Sequence, residues 1–412
     1  MQDPMIPENR DAQTVLGGLP VPHALSGIRT GMTLAYDAEL AAAEIHAALN
    51  QPDLKLVVLF VRSDIDLHRF AAACQRLFGP TVTLVGCTTA GEITAQGYVE
   101  GAITGLSLSG DNFAVSAIPI EGLQTFTVNR GQDLVRRGVQ DLARHAPSFT
   151  RQQMFAFTLI DGLCGCEEAV VSSLHAALGE IPLFGGSAGD SLRFEKTYVL
   201  NQGTFRDDMG LMVLVASKLP FRVFKTEHFI ADAHKMVVTE ADPISRIVSE
   251  INAEPAAQEY ARLIGMESVE LSPMVFATHP VVVRVGGQNF VRSIQKVNDD
   301  DSLTFFCAID EGIVLTVAKG VDLAENLDQL FQQIRSEIGQ PRLVLGFDCI
   351  FRSLEISERG LRPRVDQMIR DNNVIGFATY GEQFHAMHVN QTFTGVAIGS
   401  APEPALIAGG TP

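Results

Sequence analysis

Two histidines three residues apart, His385 and His388, follow directly on a Gly-Glu turn at 381–382. An imidazole ligates metals and haem iron, and Met387 between them is of a type that serves as an axial haem partner. The bland alternative is a pair of loop histidines. A second group lies in Phe347-Asp348-Cys349-Ile350-Phe351-Arg352, at the end of an apolar run. There Cys349 offers a soft ligand, and Arg352 offers a bidentate grip on a carboxylate or propionate. The plain reading is a buried thiol beside an arginine paired with Asp348 or Glu355. Gly185-Gly186-Ser187-Ala188-Gly189 has the spacing of a nucleophile elbow. That motif needs a helix straight after the serine, and residues 194–200 read as strand instead. Cys164-Gly165-Cys166 is the one close cysteine pair, and a structural zinc site usually needs two. The acidic run Asn298-Asp299-Asp300-Asp301 reads as a hairpin tip rather than a cation site. No Walker loop, dinucleotide fingerprint or His-Glu-x-x-His pair occurs.

The elements that must hold these residues repeat along the chain. Three stretches read strand, helix, strand, glycine turn, with second strands near 82–85, 181–184 and 374–377. In the first, Leu67, Phe70, Ala71, Cys74 and Leu77 recur at helical spacing and stop at Gly79; in the second, the helical pattern stops at Gly179. Each stretch ends in the same tetrad of hydroxyl, any residue, glycine, acid: Thr89-Ala90-Gly91-Glu92, Ser187-Ala188-Gly189-Asp190 and Thr379-Tyr380-Gly381-Glu382. Glycine takes positive φ where a strand must reverse, the hydroxyl bonds nearby backbone, and the acid accepts from backbone N–H groups of the bend. A turn role therefore explains Ser187 together with Thr89 and Thr379. Residues 103–109 and 113–120 flank Gly110-Asp111-Asn112 and read as a hairpin, as do 196–200 with 209–216. The fold class is α/β to α+β, with mixed sheets built from three strand-helix-strand-turn repeats and interleaved hairpins. The division expected is a lead-in at 1–28, an N-terminal domain at 29–225, a C-terminal domain at 226–400 and a tail at 401–412. Near 220–235 the strands are expected to give way to a more polar, helical region.

Composition excludes several classes. The 412 residues carry a net charge of −17, the wrong sign for a nucleic-acid footprint or for docking on anionic lipid. No apolar run reaches the roughly 18 residues of a spanning helix. The acidic, polar start lacks the basic and apolar regions of a signal peptide, which places the protein in the cytoplasm. Six scattered cysteines read as reduced, mostly buried thiols.

Six segments resemble the FIST family, in the family's order: GCTTAGEI (86–93), IDGLCGCEE (160–168), LFGGSAGD (183–190), FVRSIQKV (290–297), FDCIFR (347–352) and GFATYGEQ (376–383). The resemblance covers about residues 30–400 and both family modules. It implies a non-enzymatic sensory role: a small ligand is bound and a separate signalling partner, a histidine kinase or a cyclic-di-GMP enzyme, is informed. One subgroup of the family binds haem and reports nitric oxide. Carried to this chain, that implies haem held by His385 or His388, with Cys349 and Arg352 as further candidates. Two other readings stay open. One is a haem-free sensor of a small organic ligand such as an amino acid, with Arg352 or Arg292 on its carboxylate. The other, more remote, is a hydrolase acting through Ser187 or Cys164.

Overall fold

The computed structural model describes residues 27–400 apart from Gly286. The tail and all but the last two residues of the lead-in lie outside them. The described residues form the mixed α/β fold that the patterning indicates, about 30% helix and 39% strand. The first unit runs β1 (Ile28–Thr33), α1 (Ala38–Leu49), β2 (Leu54–Val61), α2 (Leu67–Phe78), β3 (Thr83–Thr88), the hairpin β4 (Glu92–Thr94) and β5 (Gly97–Val99), then β6 (Ile103–Ser109). The second repeats the plan as β7 (Phe113–Glu121), α3 (Val128–His145), β8 (Met154–Ile160), α4 (Glu167–Leu178), β9 (Leu183–Ser187), β10 (Val199–Asn201), β11 (Thr204–Arg206) and β12 (Met209–Ser217).

The third unit opens with β13 (Phe221–Glu227) and is then interrupted. Residues 229–320 form an insertion: β14 (Phe229–Asp242), β15 (Ile247–Ile251), β16 (Glu254–Pro255), α5 (Ala256–Ile264), α6 (Pro273–Thr278), β17 (Val281–Val285), β18 (Gln288–Arg292), β19 (Ile294–Val297), β20 (Leu303–Phe305) and β21 (Val314–Gly320). The unit resumes with α7 (Leu323–Ile338), β22 (Leu343–Cys349), α8 (Ile350–Glu358), α9 (Arg362–Asp371), β23 (Val374–Thr379), β24 (Glu382–Phe384), β25 (Met387–Val389) and β26 (Thr392–Ile398). The region after residue 225 is therefore not mainly helical. It opens with the 14-residue strand β14 and builds an antiparallel sheet of its own, in the order β18-β17-β21-β14-β15-β20-β19 with β16 on β15.

Three six-stranded sheets share one plan: β1-β6-β2-β3-β10-β11, β7-β12-β8-β9-β24-β25 and β13-β26-β22-β23-β4-β5. In each, the strands flanking the helical crossover are parallel, as a strand-helix-strand connection requires. The short hairpins are exchanged in a cycle. The first unit's β4–β5 completes the third sheet, the second's β10–β11 completes the first, and the third's β24–β25 completes the second. The two longer hairpins read from the sequence are not formed. Gly110-Asp111-Asn112 carries the chain from β6 in one sheet to β7 in the next, and β10 pairs with β11 and β3 rather than with β12. Both β6 and β12 are buried along their whole length, as interior strands of their sheets.

The three sheets turn one face inward on a common core and the other onto their own helices. At the centre, Phe377 lies 4.8 Å from Phe60 and 4.9 Å from Phe347, with Phe184 5.5 Å from Phe347, ring centroid to ring centroid. Rings from all three units thus meet, and each fully buried aromatic contributes about 1.5–3 kcal/mol of transfer free energy. Glycine is demanded at Gly86 and Gly376. A Cβ there would overlap the carbonyl of Leu59 or Gly346 on the parallel neighbour.

Candidate functional site

The three tetrads meet where the three units converge, joined by backbone bonds in a ring. Ala90 N–H donates to Ala378 O at 2.9 Å and Ala378 N–H to Gly91 O at 2.7 Å. Gly189 N–H donates to Thr88 O at 3.0 Å, and Ser187 N–H to Gly381 O at 2.8 Å. Within each turn the acid takes local donors. Glu92 accepts from the Thr89 hydroxyl and from Ala102 N–H at 3.0 Å. Asp190 accepts from the N–H groups of Phe194, Glu195 and Lys196 at 2.8–2.9 Å and from the Tyr380 hydroxyl. Glu382 accepts from the Thr379 hydroxyl at 3.1 Å and from Thr392 N–H and hydroxyl at 3.1 and 2.8 Å. Burial raises Glu92 to about 7 and Glu382 to about 8, against the pull of those donors.

On one side of this ring lies a buried ion cluster. It begins with Glu167 and Glu168 in the first turn of α4, where the helix dipole favours acids. Arg246 precedes β15 with φ of 56°, a left-handed conformation that a side-chain-bearing residue adopts only under constraint. Its guanidinium reaches Glu167 at 2.6 Å, Glu168 at 2.7 Å and the Phe306 carbonyl. The donated hairpin brings His388, whose Nε2 is 3.9 Å from Glu167, and Gln383, which pairs with it across β24 and β25. Gln383 Nε2 also donates to Ser187 Oγ at 3.0 Å. From the insertion comes Cys307, whose thiol donates to Asn390 Oδ1 at 3.0 Å, and Arg292, which donates to the His388 carbonyl at 3.4 Å. Burial works against a charge on His388. The neighbouring Cys307, Glu167 and Glu168 outweigh it and hold the imidazole at about 9. Glu168 is pulled below the usual carboxylate range despite its burial, by His388 and Arg246. The cluster thus sets Glu167 and Glu168 against Arg246 and His388, with Arg292 beside them, around a thiol, largely out of water.

The residues singled out in the sequence are dispersed. His388 lies in this cluster. His385 sits at the hairpin tip with its ring against Phe384 and His175, and its pKa is lowered by burial and by His175. Cys349 is buried at the end of β22, and burial drives its thiol well above the ordinary range. Arg352 is committed to a buried chain: it donates to Asp348 at 2.6 Å and to His228 Nδ1 at 2.7 Å, and His228 Nε2 bonds Glu355 at 2.8 Å. The Tyr98 hydroxyl bonds the other Asp348 oxygen. These four candidates therefore occupy separate environments rather than one site. Neither of two cavities, an apolar void of about 10 Å³ in the central core and a groove of about 430 Å³ along α3, is lined by any of them. They do not fit a haem. No helix follows Ser187, and its hydroxyl faces Glu167 at 3.4 Å and Gln383, so the elbow geometry is absent. Cys164 is buried and its thiol is pushed up by the bond to Cys166, then by burial. The sequence reading missed Glu167, Glu168, Arg246, Cys307 and Asn390 as site residues. The two adjacent acids at a helix start were the one local signal.

A family model described as the FIST N domain matches residues 55–254, and one described as the FIST C domain matches residues 256–385. Together they span well over half of the 412 residues. The chain belongs to the FIST family. FIST domains are signal-transduction sensor domains that bind small ligands. An uncharacterized protein of Methanocaldococcus jannaschii is 23% identical over 360 residues, which cover 77% of this chain and 68% of that one. Among solved structures, a cyanuric acid hydrolase from A. caulinodans is similar at a TM-score of 0.39 and 10% identity, over 91% of this chain and 99% of its own. A second cyanuric acid hydrolase structure is similar at 0.35 and 9%, over 90% and 99%. Likeness at that level carries no argument about activity. The ion cluster draws on both FIST matches. Glu167, Glu168, Ser187 and Arg246 lie in the first, Arg292, Cys307 and Gln383 in the second, and His388 and Asn390 just past its end.

Proposed function

We propose that this FIST protein is a sensory input component whose signal is a small polar or ionic ligand taken up at the His388 cluster. The observation that carries this is the composition of the cluster: one buried set of charges is assembled from α4, from the exchanged hairpin and from the inserted sheet. A ligand that replaces any of these ion partners changes how the three are held together. It can therefore bias a two-state surface presented to a partner. That partner is a separate signalling protein, a histidine kinase or a cyclic-di-GMP enzyme, and the chain acts by binding rather than by turnover. The test is a thermal-shift panel of amino acids, small carboxylates and divalent metal ions on the wild type and on His388→Gln and Arg246→Gln. A stabilising ligand whose effect is lost in both variants supports the reading. Ligands that stabilise the variants as well as the wild type overturn it.

A further inference from the structure

Three potential ligand atoms of different chemistry meet in the cluster. A carboxylate oxygen of Glu168, the sulfur of Cys307 and a ring nitrogen of His388 all lie within 4.8 Å of one another, with Cys307 and His388 buried. A tetrahedral zinc-type ion, with bonds of about 2.0–2.3 Å, asks its ligand atoms to stand about 3.3–3.8 Å apart. Side-chain adjustments of about an ångström close that gap. Thiolate, imidazole and carboxylate together select a borderline-soft divalent ion over calcium or magnesium.

A second observation points to the same place. Asn390 is fully buried and spends its oxygen on the Cys307 thiol and on Ser293 N–H, while its Nδ2 has no partner. The Ser293 hydroxyl is also without a partner. Buried donors are nearly always paired, so a bare amide N–H₂ beside Cys307 and His388 marks a place for an acceptor. The bare Cα of Gly381 faces Nδ2 and the His388 ring, where a Cβ would overlap the ring. One outer bond outlasts ion binding: Ala308 N–H donates to Glu168 at 3.0 Å. Gln383 stands 3.4 Å from His388 Nδ1, and the bond from the Cys307 thiol to Asn390 Oδ1 is given up when the thiolate forms.

We propose that Glu168, Cys307 and His388 bind a divalent transition-metal ion of the zinc class, with the fourth position open to water or a small anion facing Asn390 Nδ2. This rests on the proposed input site and names what it takes. The exchange balances: the ion adds two positive charges, the thiol releases one proton and the imidazolium another, so the net charge of the pocket is unchanged.

The experiment uses the full chain, stripped by chelator and kept reduced, and titrated with Co²⁺ followed by absorption. The expected result is one equivalent bound, with a thiolate-to-cobalt charge-transfer band. The band persists in Cys164→Ser and disappears in Cys307→Ser. Asn390→Leu, which removes the Nδ2 donor that faces the fourth position, weakens binding about 10–100-fold. Zinc X-ray absorption on the wild type needs no variant to fold, and should show one sulfur in the inner shell. A wild type without the charge-transfer band, a band that survives Cys307→Ser, or zinc without sulfur overturns the proposal. If any of these occurs while an amino acid still stabilises the wild type but not His388→Gln, the metal assignment fails and the input site stands. If no ligand acts through His388, both fall.

Discussion

Acid should destabilise this protein through His228, by an amount set by its two neighbours. The ring is fully buried between Arg352 and Glu355. Nε2–H donates to Glu355, so Nδ1 must be the bare nitrogen that accepts from Arg352. A second proton would place N–H against N–H and a cation against a guanidinium. Burial first, then Arg352, overcome the pull of Glu355 and lower the imidazole from 6.5 to about 4. The unfolded chain therefore binds the proton more tightly than the folded one. Stability from this group is present above pH 6.5 and is lost as pH falls toward 4. The gap of about 2.5 pH units is worth about 3.5 kcal/mol at about 1.4 kcal/mol per unit. The assay is urea unfolding of wild type and His228→Gln between pH 4.5 and 7.5. Other groups titrate in this window, including Glu92 and Glu382, whose raised pKa values act in the opposite direction. The difference between the two proteins cancels them. That difference should narrow by about 2–3 kcal/mol on acidification. Parallel pH curves for the two proteins would falsify the neutral, sandwiched imidazole.

Arg246→Met leaves Glu167 and Glu168 buried with one cation fewer, and should cost about 3–5 kcal/mol in urea unfolding, with Arg246→Lys recovering part of it. An unchanged urea midpoint would show that the acids are already neutralised. Asp190→Ala removes the acceptor of three consecutive N–H groups and should cost about 3 kcal/mol or more, whereas Asp190→Asn, which keeps one acceptor, should cost less; equal losses would assign Asp190 a charge role instead. Haem added to the full chain should give the broad spectrum of unbound haem. A sharp Soret band that shifts with nitric oxide and is lost in His385→Ala or His388→Ala would overturn the geometric argument against it.

Local signals carried the repeat but not its assembly. The tetrads, the apolar strand runs and the helix stops at Gly79 and Gly179 are short-range features, and each is found in place; both glycines have positive φ. The exchange of hairpins was not legible, because strand pairing between β9 and β24 joins residues nearly 200 positions apart and no local pattern encodes it. The same fact misled the reading of Gly110-Asp111-Asn112. Its composition suits a tight hairpin, yet the strands on either side enter different sheets. For the site, His388 carried no mark that set it apart from His385. What distinguishes them is burial against α4 and the insertion, a tertiary property. Cys307 and Arg246 are single residues on separate turns of the insertion, and only the fold brings them to Glu168.

The exchanged hairpins make the two FIST matches one folding problem. In the second sheet, β9 gains its outer partner only from the third unit, through Glu382–Gly186, Gln383–Gly185 and Phe384–Phe184. In the third sheet, β23 gains its outer partner only from the first unit, through Gly376–Ile93 and Phe377–Glu92. Separating the halves opens both edges at once and exposes Phe60 and Phe184 on one piece and Phe347 and Phe377 on the other. Unpaired apolar edges of this kind aggregate unless a donated strand completes them. Residues 1–219 and 220–412 expressed separately should therefore be insoluble, and co-expressed they should purify as a one-to-one complex. The mechanism argued for signalling depends on this outcome, because a ligand at His388 acts on a hairpin that both halves own. A first half that is soluble, monomeric and cooperatively folded alone would show that the hairpins only decorate independent modules, and the coupling between the site and the rest of the fold would lose its physical basis.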